Sequence, residues 1–179
     1  MEELLESIRS HFSDVAIDYT ESIREPKRGK RIVTFTMPIH GENVSSLCQL
    51  RVESRFVRVF IPRGSHVPIE KRQDVAELLC RKNWVMSFGA FTMKWETGEV
   101  RFEASIPRQA AFTTIEMTTL LSSALLSFDW TCLALDFSVL AGYTPLGALE
   151  RADHSYRLWL ALRDTEEVVT NPDFPTLSM

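Results

Sequence analysis

Cysteine is scarce and unpaired in this chain: Cys48, Cys80 and Cys132 are odd in number, widely spaced and form no Cys-x-x-Cys motif. That excludes a disulfide framework and a zinc site built on paired thiolates, and it suits a reducing cytoplasm. Each lies in an apolar stretch, where a small buried hydrophobe is the expected role. Also missing are a P-loop, a dinucleotide-binding glycine set, a nucleophile elbow and a His-Glu-x-x-His pair. The four histidines (His11, His40, His66, His154) are isolated from one another and from the cysteines, so no metal-ligand spacing exists. No basic, then apolar leader opens the chain; Met1-Glu2-Glu3-Leu4-Leu5-Glu6 is acidic and amphipathic, unlike a secretory signal.

Long hydrophobic runs are equally rare. Only 117–143 approaches membrane-spanning length, and it carries Asp129 and Asp136 near its middle. Each would cost about 2.5–3.5 kcal/mol on insertion scales, so a core helix is expected and no membrane insertion. What is present is ample core material: 179 residues, 45% hydrophobic, with four Trp and eleven Phe. One domain over 1–163 followed by a flexible tail over 164–179 is the natural division. The net charge of −4 is unevenly spread. Between Arg24 and Lys82 there are 13 Lys/Arg against 6 Asp/Glu, while the remainder holds 7 against 18. Two solvated faces of one domain account for this, and a partner surface is the alternative.

Residues 2–13 read as a helix, with Leu4, Leu5, Ile8 and Phe12 at helical spacing. Alternation then predicts a strand over 16–23, a charged turn over 25–30, and a strand over 32–37 that ends at Pro38. The stretch 47–61 reads as two strands joined at Glu53-Ser54-Arg55, followed by a loop over 62–65. Pro68 opens a helix to about Lys82, with Val75, Ala76 and Leu79 inward and Asn83 as its left-handed stop. A hairpin follows, Phe91, Met93 and Trp95 facing the same way, with Thr97-Gly98 in its turn.

Thr113-Thr114-Ile115-Glu116 is a capping-box pattern opening a long helix. Its first half keeps one apolar stripe, Met117, Leu120, Leu121, Ala124, Leu125 and Phe128. Its second half adds Leu126, Trp130, Leu133, Phe137 and Leu140 on another side. A helix apolar on two sides is covered on two sides, by a sheet and by either the last helix or a second copy of the chain. Gly142 ends it, and Thr144-Pro145 begins a final helix to about 163, with an Asp153–Arg157 pair one turn apart.

Three features are candidates for function. Asp129 and Asp136 lie on one side of their helix, about 10 Å apart along its axis. Such a pair can act as acid and base or hold a metal, but no third ligand stands beside it; solvent or arginines of the basic half are the simpler partners. The run 24–31 carries five cations, suited either to phosphates and acidic segments or to a solvated hairpin loop that blocks edge pairing. No aromatic is interleaved there, which weighs against single-stranded nucleic acid. Of the four tryptophans, core packing explains most, and Trp130, off the main stripe, is the one expected at an interface.

The region 82–149 resembles the YbjN family of bacterial sensory transduction regulators. The likeness rests on Asn83, Phe88-Gly89-Ala90-Phe91, the Thr97-Gly98 turn, Asp129 and the exit from Gly142 to Leu149, in that order and spacing. The resemblance implies a fold like that of the type III secretion chaperones and protein–protein contact in place of catalysis. The expected architecture is α+β, an antiparallel sheet with helices packed against it. The expected function is a non-enzymatic, cytoplasmic binding or regulatory protein, homodimeric, without cofactor or metal, engaging an extended partner segment of unknown identity. Its contacts would come from Trp130, Leu133, Phe137, Lys27, Arg28, Lys30 and Arg31. The alternatives are a small hydrolase or metal-assisted enzyme using Asp129 and Asp136, or a weak RNA or anionic-surface binder through residues 24–31.

Overall fold

A computed structural model describes residues 1–25, 31–108 and 113–170, without the side chains of Thr114 and of 162–170. Six strands form one antiparallel sheet in the order β1-β2-β3-β4-β6-β5. They are β1 (Thr20–Arg24), β2 (Ile32–His40), β3 (Ser45–Val52), β4 (Phe56–His66), β5 (Ala90–Lys94) and β6 (Glu99–Pro107). Four α-helices accompany them: α1 (Glu2–Asp14), α2 (Arg72–Val85), α3 (Thr114–Val139) and α4 (Pro145–Thr170). The expected α+β class is what forms.

Alternation along the strands decides which face is covered. Val33, Phe35 and Met37, Leu50 and Val52, Val57, Val59 and Ile61, and Phe102 and Ala104 are buried. Onto them pack Leu5, Ile8 and Phe12 of α1 and Met117, Ala124, Phe128 and Leu135 of α3. The opposite face is polar and carries no helix among the described residues; its one large buried ring, Phe60, lies beneath the guanidinium of Arg51, 4.3 Å from the ring centre. α3 is long and apolar enough over Ile115–Val139 to cross a bilayer by length and composition, and it is the central core helix here.

Several boundaries differ from expectation. β1 begins at Thr20, because Ala16 takes a positive φ of 53° and breaks the chain after α1. β2 runs through Pro38 to His40: β1 ends opposite Thr36, so beyond it the missing N–H of Pro38 faces an unpaired side. The expected loop at 62–65 is the irregular end of β4, where the register shifts between Pro62 and His66. A 3-10 turn, Ile69–Lys71, precedes α2, which passes through Asn83 and ends at Val85. Asn83 is not a left-handed stop. Its side chain instead pairs with both the N–H (2.8 Å) and the C=O (2.9 Å) of Phe91, occupying outward backbone groups of edge strand β5. α4 continues to Thr170, so the expected tail from 164 starts within a helix. The 25–30 turn lies outside the described residues from 26 on.

Candidate functional site

Helix α3 is anchored at its start and shared along its length. Thr113 Oγ1 accepts from the Glu116 N–H, and the Glu116 carboxylate accepts from the Thr113 N–H, which completes the capping box. Those bonds hold the Glu116 carboxyl below its ordinary range. The sheet takes one side of α3. On the second side α4 packs against α3, while Leu126 and Leu140 of that side remain 48% and 78% exposed. Trp130 stacks on Tyr156 at 5.3 Å between ring centres and 18° between planes, and Tyr156 on Trp159 at 5.8 Å and 24°. Phe137 meets Tyr143 edge-on at 5.7 Å, and Leu133 is half-buried. Lys82 of α2 is buried with its Nζ 3.7 Å from the Trp130 ring centre. Burial lowers its pKa, against an opposing pull from Asp153.

The two aspartates do not form a joint site. Asp129 is buried at the β2–β3 turn, where its Oδ1 accepts from the N–H groups of Asn43 (2.9 Å) and Val44 (3.1 Å). Its Oδ2 accepts from Asn43 Nδ2 at 2.9 Å. The carboxylate lies so close to the turn that a Cβ on Gly41 would fall 2.3 Å from Oδ1, so only glycine fits. Asp136 pairs with buried Arg63, Nη2 to Oδ1 at 2.5 Å. The arginine partner expected from the basic half is thus found for Asp136, whereas Asp129 takes neutral donors. Among the described residues no group of three His, Cys, Asp or Glu is placed to hold a metal ion.

A groove of about 430 Å³ opens between α3, α4 and the β2–β3 turn. Leu125, Leu126, Leu133, Trp130, Tyr156 and Trp159 form its apolar walls; His40, Glu42, Asn43, Ser122 and Ser155 stand at its lip. Trp130 and Leu133 therefore share one surface, and Phe137 is not part of it. Tyr156 and Trp159 read from sequence as one apolar side of the final helix, but nothing in their spacing fixed which face of α3 they would meet, and the 40–43 turn gave no signal.

A second apolar surface lies between α2 and β5, lined by Leu79, Cys80, Trp84, Phe91, Met93 and Trp95. Trp84, Val85 and Trp95 are 90%, 73% and 55% exposed, which corrects the expectation that core packing explains most of the tryptophans. Cys80 is exposed too, unlike Cys48 and Cys132, whose thiol pKa values burial pushes up to about 12. Of the basic run, Lys27, Arg28 and Lys30 lie outside the described residues. Arg31 is described and pairs with Glu2 at 2.9 Å. No protein-family model, no curated protein and no solved structure matches this chain.

Proposed function

We propose that the chain is a non-catalytic, cytoplasmic protein-binding module with a regulatory role, as the YbjN resemblance implies, and that it holds an extended apolar segment of a partner protein. The observation that carries this reading is the α3–α4 groove, whose walls are aromatic and aliphatic and whose lip offers hydrogen-bonding groups, all neutral but Glu42. Its volume suits a few side chains of an extended peptide. Of its two carboxylates, Asp129 already accepts three hydrogen bonds from the turn, and Glu42 is exposed at the lip. Panning a random-peptide display library against the protein tests the reading. Apolar sequences are enriched, and their binding is lost in Leu126→Glu, a change at a 48% exposed position. Absence of enrichment over an unrelated protein would overturn it.

The homodimer is a second reading, supported by a different surface. Trp84, Val85 and Trp95 leave an apolar patch in water that a second copy of the chain would cover. Light scattering at tens of micromolar reports a dimer that Trp84→Glu converts to a monomer. A monomeric wild type removes the dimer and leaves the groove reading untouched.

A further inference from the structure

The polar face of the sheet brings together what the 24–31 run lacks in sequence, namely arginines and aromatic rings in one place. On β4, Phe56, Arg58 and Phe60 alternate onto that face. In the neighbouring strand Arg51 stands directly opposite Arg58. Like charges facing each other across a ladder repel, a cost that a bound anion would relieve. At the same end of the sheet, Arg31, Arg55, Arg58 and Phe56 line a cavity of about 470 Å³ around the β3–β4 turn. Arg24 on β1 stands opposite Ile32, which lines the same cavity, though Arg24 itself does not line it. Three acids act on these arginines: Glu2 pairs with Arg31, Glu21 attracts Arg31 from β1, and Glu53 has its Oε1 3.6 Å from Arg58 Nε. The Arg58 Nε is buried and makes no hydrogen bond.

We propose that this face binds nucleotides, with phosphate held by Arg31, Arg55 and Arg58 and a base stacked on Phe56. An antiparallel sheet face on which rings and guanidinium planes alternate is a stacking platform for unpaired bases. The Arg58 guanidinium lies 5.5 Å from the Phe56 ring centre, so phosphate and base contacts are within one nucleotide of each other. Double-stranded nucleic acid presents no free base to such a platform. The surface is separate from the α3–α4 groove, on the other side of the sheet, so neither reading depends on the other.

Fluorescence anisotropy with a labelled single-stranded oligouridylate tests the site. Binding is expected at low salt, weakening roughly twentyfold between about 50 and about 200 mM salt if three phosphates are contacted. Arg55→Ala with Arg58→Ala abolishes it, and Phe56→Ala weakens it about tenfold or more. Glu53→Gln tightens it, a gain that misfolding cannot mimic. Arg157→Ala, at a more exposed arginine on α4, leaves it unchanged. Displacement of the label by uridine monophosphate assigns the site to a free nucleotide, and failure to displace assigns it to a strand; either sustains the proposal. No binding at low salt, equal binding of the duplex, or equal loss in Arg157→Ala and the Arg55/Arg58 variant would overturn it.

Discussion

Asp129 and Asp136 share a stripe of one helix, seven residues apart, yet the molecule satisfies them by opposite means. Asp129 is buried and surrounded by neutral donors from a turn belonging to the sheet. Asp136 is 40% exposed and takes the charge of an arginine that is itself buried. In the first case the aspartate organises a loop; in the second it keeps a cation from being buried alone. Equal spacing on a helix therefore says that two side chains point the same way, and nothing about what meets them.

That contrast can be broken by mutation. Asp129→Ala leaves three donors of the 43–44 turn without an acceptor and is expected to cost about 3 kcal/mol in urea unfolding. A loss below about 1 kcal/mol would mean that water replaces the carboxylate. Asp136→Ala should cost less, about 2 kcal/mol, because solvent reaches Arg63 through the exposed side of the pair. Pairing it with Arg63→Met should restore most of that loss, since no buried charge then remains. Gly41→Ala should cost about 1–2 kcal/mol through its clash with Asp129, and measurably less in the Asp129→Ala background. Additive losses would show that the turn and the carboxylate are not coupled.

The smallest effect expected is on alkaline stability. Folded Lys82 loses its proton at lower pH than it does in the unfolded chain, because burial beside Trp130 disfavours its charge. Between those two pKa values the unfolded state holds more protons, so stability rises with pH and levels off above the ordinary lysine value. Lys82→Met should flatten this part of the profile. An unchanged slope would assign it to other groups.

Much of the fold was legible because it follows from local chemistry. The periodicity of Leu4, Leu5, Ile8 and Phe12 fixed α1, the capping box fixed the start of α3, and Gly98 with its φ of 74° fixed the β5–β6 turn. Thr144 and Pro145 began α4 as their types require, and Asp153 and Arg157 pair at 2.9 Å. Pro38 misled because a strand can outlast its neighbour, a property of the sheet's outline that a single strand does not carry. Asn83 misled for a related reason: it looked like a helix terminator, while its amide was serving a strand eight residues on. The candidate sites were less legible than the fold. Phe56 and Arg58 are neighbours in sequence, but Arg31, Arg51 and Arg24 reach them only through pairing of β1, β2, β3 and β4.

The treatment of β5 has a consequence for assembly. Asn83 fills the outward groups of Phe91, and beyond β5 Arg72 takes the carbonyls of Trp95 (2.7 Å) and Glu96 (3.4 Å), so that margin of the sheet is blocked at Phe91 and at the turn. At the opposite margin β1 has a partner only on its inner side. A border interrupted at Phe91 is a poorer template for an added strand than β1 is. Fibre growth needs two usable borders, and the contact of Asn83 with Phe91 works against the second.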